Sequence, residues 1–379
     1  MYFELTDEQI MIRQAARDFA HTELRPGVIE RDEHQKFPAE QVRLMGGLGF
    51  MGMMVSPDYG GSGLDSISYV LVMEELSKID ASASVIVSVN NSLVCYGLEK
   101  YGSEAQKQKY LVPLAKGEKL GAFCLSEPEA GSDATSQSTS AIDMGDYYLL
   151  NGVKNWITNG GSASTYLVIA QTHAEKGHHG INVLIVEKGM EGFTIGPKEN
   201  KLGIRGSDTH SLMFADVKVP KENRIDDDGF GFKFAMNTLD GGRIGIAAQA
   251  LGIASGAYEL ALQYSKERKA FGKTIADLQA TQFKLADMAT EIEAARLLCF
   301  KAAWLKDNGL PYAQASSMAK LYASEVAMRT AVEAVQIHGG YGFVKEYHVE
   351  RLMRDAKITQ IYEGTSEIQR IVISREVLK

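Results

Sequence analysis

Cysteine is scarce. Cys95, Cys124 and Cys299 are the only three in 379 residues, they stand far apart, and none sits in a CxxC or CxxH pattern. So small and scattered a set excludes a disulfide scaffold and reads as reduced thiols in a reducing compartment. No metal-ligand spacing is present either: the adjacent His178 and His179, in a Gly-flanked polar stretch, read as a loop tip rather than a ligand pair. Excess positive charge is also missing. With 40 Lys+Arg against 48 Asp+Glu, a net charge of -8 and a pI near 5.6, nucleic acid is excluded as a partner, and a polyanionic ligand must find a local basic patch. Residues 1–9 carry Glu4, Asp7 and Glu8 with no basic region leading into an apolar core, so no signal peptide is expected. A start of this kind points to a bacterial cytoplasm, or to a mitochondrial matrix chain that has lost its transit peptide. The most apolar stretch, residues 244–262, is interrupted by Gln249, Ser255 and Glu259 and reads as a buried helix rather than a membrane span. Finally, neither GxxxxGK[ST] nor a GxGxxG between strand and helix occurs, which removes the main support for ATP and Rossmann readings.

What is present falls into three stretches. The length exceeds what one hydrophobic core usually supports, and 45% hydrophobic against 23% charged residues is the balance of a globular chain able to bury a large cofactor. Thr6-Asp7-Glu8-Gln9 has the capping-box pattern, followed by Ile12, Ala15, Ala16 and Phe19 at helical spacing until Pro26. Pro38 can open another helix in its first turn, Gly46-Gly47 can close it, and residues 67–79 resume the helical pattern. Beyond about residue 121 the texture turns to strands. Residues 147–150, Asn151-Gly152 and residues 153–157 read as strand, tight turn and strand, and β-rich runs follow at 165–170, 181–186, 193–195 and 211–219. From Gly231 the pattern is helical again, with breaks at Gly272, residues 308–311 and Gly339-Gly340, giving four or so long helices. The expected fold is α+β: an N-terminal helical domain over residues 1–120, a middle antiparallel β domain over 121–230 and a C-terminal four-helix bundle over 231–379.

Three separated segments are rich in Gly, small hydroxyls and aromatics. In residues 123–132, Pro128 and Gly131 force the backbone out of regular structure and leave amides and hydroxyls free to meet a ligand, although a surface turn has the same composition. Trp156 and Thr158 alternate along a strand and share one face, suited to stacking and hydrogen bonding by a flat ring, or to an ordinary half-buried Trp. Residues 361–367 place Glu363 between an aromatic and a glycine in a short non-helical break. There it is either a desolvated carboxylate with the raised pKa of a general base or a solvated loop residue.

These three segments, together with Asp240-Gly241-Gly242-Arg243 and Gln336-Ile337-His338-Gly339-Gly340, occur in the order and approximate spacing of the acyl-CoA dehydrogenases. The chain resembles that family from its first helix to about Arg370, and residues 239–247 and 201–206 are similar to its short-chain, butyryl-CoA-type members. The resemblance implies a soluble FAD enzyme that oxidises an acyl-CoA thioester to the trans-2-enoyl-CoA. It implies that Glu363 abstracts the α-proton while hydride passes to flavin N5. A second lineage carries its base on the helix of Asp240, but the matching position here is Gly242, which cannot ionise. The thioester carbonyl is assigned the backbone amide of Glu363 and a flavin ribityl hydroxyl.

By the same resemblance Phe123, Leu125, Ser126, Gly131 and Ser132 line the flavin, Trp156 and Ile157 pack on its ring and Thr158 bonds near N5. Arg268, Gln279, Gln336, Ile337, His338, Gly339, Gly340, Thr365, Ser366 and Glu367 hold the pyrophosphate and adenosine, reached across a dimer interface. Taken alone, Arg268 reads as one cation of the solvated cluster Lys266-Glu267-Arg268-Lys269. Ser132, Asp240, Arg243, Tyr362 and Gly364 match contacts to the CoA thioester, and Asp240 with Arg243 also reads as an i,i+3 ion pair. A homotetramer of paired dimers and electron transfer to electron-transferring flavoprotein are implied. The competing readings are another acyl-CoA dehydrogenase, such as a branched-chain or glutaryl type, an acyl-CoA oxidase, and a non-enzymatic homologue.

Overall fold

The computed structural model describes residues 4–379. The N-terminal lobe contains α1 (Asp7–Phe19), α2 (Val28–Glu33), α3 (Ala39–Gly47), α4 (Ser66–Ile79), α5 (Ala81–Ser88), α6 (Tyr96–Tyr101), α7 (Glu104–Gln106) and α8 (Val112–Ala115). Its first helix opens on the capping box: the Gln9 amide donates to the Thr6 hydroxyl at 3.2 Å and the Thr6 amide to the Gln9 side chain at 3.1 Å. Pro38 immediately precedes α3 rather than sitting in its first turn. Between α5 and α6 the chain is π-helical over Val89–Cys95, a geometry that gathers at functional sites.

The middle domain contains β1 (Gly121–Cys124), β2 (Ser140–Asp143), β3 (Tyr147–Thr158), β4 (Thr165–Gln171), β5 (Ile181–Glu187), β6 (Phe193–Lys198), β7 (Thr209–Pro220) and β8 (Arg224–Ile225), in the order β6-β7-β3-β2-β4-β5-β8 with β1 beside β4. Two expectations are corrected here. Asn151-Gly152 is not a hairpin turn: β3 runs through it against β7, and the register shift between Leu150 and Gly152 marks a bulge. Gly152 adopts φ +141°, and the Asn151 side chain exchanges hydrogen bonds with Asp216 at 2.9 and 3.0 Å, so the dipeptide's freedom serves a bulge instead. Nor is the sheet wholly antiparallel. β1 runs parallel to β4, and β2 meets β4 in parallel through Ser140 and Gln171, because the intervening chain is long enough to return to the starting end.

β4 and β5 are buried on both faces. Leu167, Ile169, Val183 and Ile185 join the core of the helical lobes, while Tyr166, Val168, Leu184 and Val186 form a second core with Tyr148 and Phe214. The period-two alternation of a strand thus splits two apolar runs between two cores and fixes the sheet against the helices.

The C-terminal region comprises α9 (Gly231–Glu267), the small ladder of β9 (Lys269–Ala270) and β10 (Lys273–Thr274), then α10 (Gln279–Asp307), α11 (Ala313–His338), α12 (His348–Thr359) and α13 (Ser366–Val377). Instead of four long helices there are three of 37, 29 and 26 residues and two of 12, because residues 360–365 turn the chain between α12 and α13. The segments Ala81–Tyr101 and Gly231–Glu267 are long and apolar enough to cross a membrane, but 94% and 83% of their apolar windows are buried inside the fold. α9 is therefore a core helix, packed on α4, α5, α10 and α11. A Cβ at Gly252 would lie 2.4 Å from the Glu74 carbonyl oxygen, so α4 can lie against α9 only where the side chain is absent.

Candidate active site

The turn between α12 and α13 is strained where the chemistry is expected. Glu363 has φ +51° and Gly364 φ +91°, and a non-glycine residue in that region costs about 1–3 kcal/mol unless its surroundings hold it there. Two side chains do so. Gln369 Nε2 donates to the carbonyls of Glu363 and Gly364 at 3.1 and 2.8 Å, and Lys320 Nζ, from α11, donates to the Gly364 carbonyl at 2.7 Å. Thr365 then caps α13, its hydroxyl accepting from the Ile368 amide at 3.3 Å.

So held, Glu363 turns its side chain inward against α9. The residue as a whole is half-buried, but Oε2 is enclosed and has no hydrogen-bond partner among the described residues. A Cβ at Gly242 would stand 2.2 Å from that oxygen, so the glycine makes room for the carboxylate. Burial pushes the Glu363 carboxyl up to about 7, with Lys320 and Arg243 pulling against it. The enclosed carboxylate, not the solvated loop residue, is what the fold produces.

Glu363 lines a cavity of about 380 Å³. The end of β1 and its following loop bring Phe123, Leu125, Ser126, Gly131 and Ser132 to this cavity, β3 brings Trp156, Ile157 and Thr158, α9 brings Arg243, and the turn adds Tyr362 and Gly364. The apolar lining comes from segments far apart in the chain: Val85, Val89 and Leu93 from α5 and the π-helical stretch, and Phe232, Met236 and Leu239 from α9.

Trp156, within β3, is exposed rather than half-buried. A register shift between Lys154 and Ile157 puts it at φ +61° and leaves it 61% exposed on the cavity wall. Residues 123–132 are both turn and cavity wall. Behind them Lys154 and Glu127 form a buried ion pair at 2.7 Å. Lys154 also donates to the Leu125 carbonyl and Gln137 at 3.0 and 3.2 Å, while Glu127 accepts from Ser138 and Thr139.

Asp240 and Arg243 pair at 2.5 Å on one face of α9, and Arg243 reaches the cavity. The Tyr362 hydroxyl donates to Gln249 of α9, whose amide donates to the Ala81 carbonyl at 2.8 Å. The remaining predicted residues lie elsewhere in the chain. Arg268, Ile337, His338, Gly339 and Gly340 line a second cavity of about 530 Å³ with Tyr264 and Tyr341. There Arg268 stands 5.4 Å over the Tyr341 ring, not merely solvated among its charged neighbours. Gln279, Gln336 and Glu367 are exposed, and the Ser366 hydroxyl donates to Glu325 at 2.8 Å. One chain does not bring this group to the first cavity.

The sequence matches the acyl-CoA dehydrogenase N-terminal domain over residues 6–118, the middle domain over 122–217 and the C-terminal domain over 229–378. It is 53% identical over 379 residues, 100% of both chains, to a short-chain specific acyl-CoA dehydrogenase of Clostridium acetobutylicum. The structure of butyryl-CoA dehydrogenase from Megasphaera elsdenii superposes over 100% of both chains with a TM-score of 0.98 at 51% identity. A chain in a structure of the electron transferring flavoprotein of Acidaminococcus fermentans, from work on flavin-based electron bifurcation, does so with 0.99 at 52%, again over 100% of both. A glutaryl-CoA dehydrogenase from Mycobacterium smegmatis in complex with FADH2 gives 0.94 at 33% identity, over 98% of this chain and 95% of that one. With all three of its domains matched and more than half its residues shared with a full-length relative, the chain belongs to the acyl-CoA dehydrogenase family.

Proposed function

We propose that the protein dehydrogenates a short-chain acyl-CoA thioester to the trans-2-enoyl-CoA with FAD as cofactor, Glu363 taking the α-proton. The observation that carries this reading is the enclosed Glu363 Oε2, without a hydrogen-bond partner among the described residues, in a cavity that the exposed Trp156 also lines. A carboxyl pushed up to about 7 by burial is matched to a weakly acidic α-proton at neutral pH.

The residues present fit a flavin. Trp156 offers a face for a ring, Ser126 and Thr158 offer hydroxyls, and Phe123, Leu125 and Ile157 offer apolar walls. Bound there, FAD supplies the acceptor for the hydride that leaves the β-carbon. Arg268, Gln279, residues 336–340 and residues 365–367 hold its phosphates and adenosine. Arg268 and residues 337–340 line a different cavity of the same chain, which supports a site completed by a second subunit. The Glu363 amide donates to no other described residue, so it is available to the thioester carbonyl as charge develops on that oxygen. Ser132, Asp240, Arg243, Tyr362 and Gly364 orient the thioester, and the apolar side chains from α5 and α9 exclude water from the proton being moved. The named relatives support a short acyl chain, and the association with electron transferring flavoprotein supports that acceptor. Three unpaired, buried cysteines accord with a reducing compartment such as a bacterial cytoplasm.

Anaerobic single-turnover bleaching of the flavin by C4, C6, C8, isobutyryl and glutaryl CoA thioesters tests the reading, with C4 expected to be fastest. Glu363→Gln should keep yellow, bound flavin and lose bleaching by several orders of magnitude. A variant that bleached at the wild-type rate would place the base elsewhere. Reoxidation of the bleached enzyme by electron-transferring flavoprotein faster than by air would separate the dehydrogenase from an oxidase.

A further inference from the structure

We infer that Lys320 is a positioning residue for the base: from α11 its ammonium pins the Gly364 carbonyl, keeps the left-handed turn that aims Glu363 at Gly242, and supplies the cation facing that carboxylate. The inference rests on the reading of Glu363 as the base.

Lys320 is fully buried, and its single hydrogen bond is to the Gly364 carbonyl at 2.7 Å. Arg243, the other cation near Glu363, is already paired with Asp240 at 2.5 Å, whereas Lys320 has no carboxylate within ion-pair distance among the described residues. Burying an unpaired ammonium costs several kcal/mol. Its buried neighbours on the same stripe of α11, Ser316, Ala319, Ala323 and Ala327, show what that surface holds when only packing is needed. The charge is therefore retained for something it faces.

What it faces is the turn. Glu325, also on α11, accepts from Gln360 Nε2 and from the Ser366 hydroxyl, both at 2.8 Å, and so grips the two ends while Lys320 grips the middle. The charged and titratable groups acting on the carboxylate are Arg243 on α9, Lys320 on α11, Tyr69 on α4 and Tyr362 beside it, while Asp240 faces Arg243, and Glu325 on α11 and Glu367 on α13 face Lys320. Burial pushes the Lys320 ammonium down to about 8, and Glu363 draws it back up. Lys320 is likewise the strongest influence holding the Glu363 carboxyl down against burial. Each charge thus acts on the other.

The test separates charge from clamp. Lys320→Met removes both, whereas Lys320→Gln keeps a donor for the Gly364 carbonyl and removes only the charge. The protonated carboxyl stretch of Glu363, identified by its absence in Glu363→Gln, is followed by infrared spectroscopy against pH in the holoenzyme without substrate. Both Lys320 variants are expected to move its titration upward by about one pH unit. In parallel, the bleaching rate on the alkaline plateau should fall about tenfold or more in Lys320→Met and stay within about threefold in Lys320→Gln, since misplacement of the base costs rate and loss of charge alone does not. An unmoved titration in either folded variant overturns the inference, and Lys320→Gln decides alone if Lys320→Met fails to fold. Because the infrared reading needs no substrate, Glu363→Gln that still bleached would sink the assignment of the base while leaving the Lys320 linkage measurable.

Discussion

At the scale of single residues, the pH dependence follows from the Glu363 carboxyl standing at about 7. The base acts only when ionised, so bleaching at subsaturating substrate should rise with pH through about 7 and then level off, which a stopped-flow series from acid to alkaline pH checks. A flat profile would mean that another group carries the proton. Gly242 has a second consequence. A methyl group there would meet Glu363 Oε2 at 2.2 Å and Leu93 Cδ2 at 2.8 Å, so Gly242→Ala should displace the carboxylate and slow bleaching by about 10²-fold while flavin content is retained. Glu363 is legible in the sequence as a carboxylate between an aromatic and a glycine, but its burial is not, because Gly242, Leu93 and Lys320 reach it from distant parts of the chain. Lys320 does leave a mark in the sequence, as a lone lysine on the small-residue stripe of α11.

At the scale of elements, the cavity wall depends on a buried ion pair. Glu127 is held down to about 2 because Lys154 and the Ser138 and Thr139 donors outweigh its burial, while burial pushes the Lys154 ammonium below its ordinary value despite the partner. With donors converging on the carboxylate and three acceptors on the ammonium, the charged pair is the arrangement the loop is built around. Glu127→Gln leaves Lys154 buried without its counter-charge and should destabilise the protein by about 3–5 kcal/mol, read as a lower denaturant midpoint. The sign with pH is fixed by the lowered folded value. Glu127 contributes its stability above the ordinary carboxyl range near 4.5, and that contribution is lost as pH falls toward 2. A variant as stable as the parent would mean that the loop does not need the pair. β3 shows why element boundaries were only partly readable. Asn-Gly serves a hairpin or a bulge equally well, and the choice fell to its pairing with β7, which sequence alone does not specify.

At the scale of the whole molecule, α10 leaves Phe283, Leu297 and Trp304 exposed, and Phe271, three residues after Arg268, stands 91% exposed. Exposed apolar side chains of this kind offer a surface that a second subunit would cover. Sedimentation should show an oligomer, a tetramer by the family's pattern, and Phe283→Asp should dissociate it and weaken FAD retention together; unchanged sedimentation would move the interface elsewhere. The sequence by itself determined the helical, β, helical order, the family, and the residue types of the site, because periodicity, caps and separated motifs are local properties of the chain. Only the tertiary structure decided that Glu363 is enclosed, that Trp156 is exposed, that Lys320 holds the turn, and that the Arg268 group stands apart from the cavity. Each of those outcomes depends on which atoms lie within a few ångströms across the fold, and dielectric, strain and unpaired hydrogen-bonding groups are properties of that surrounding and not of the segment.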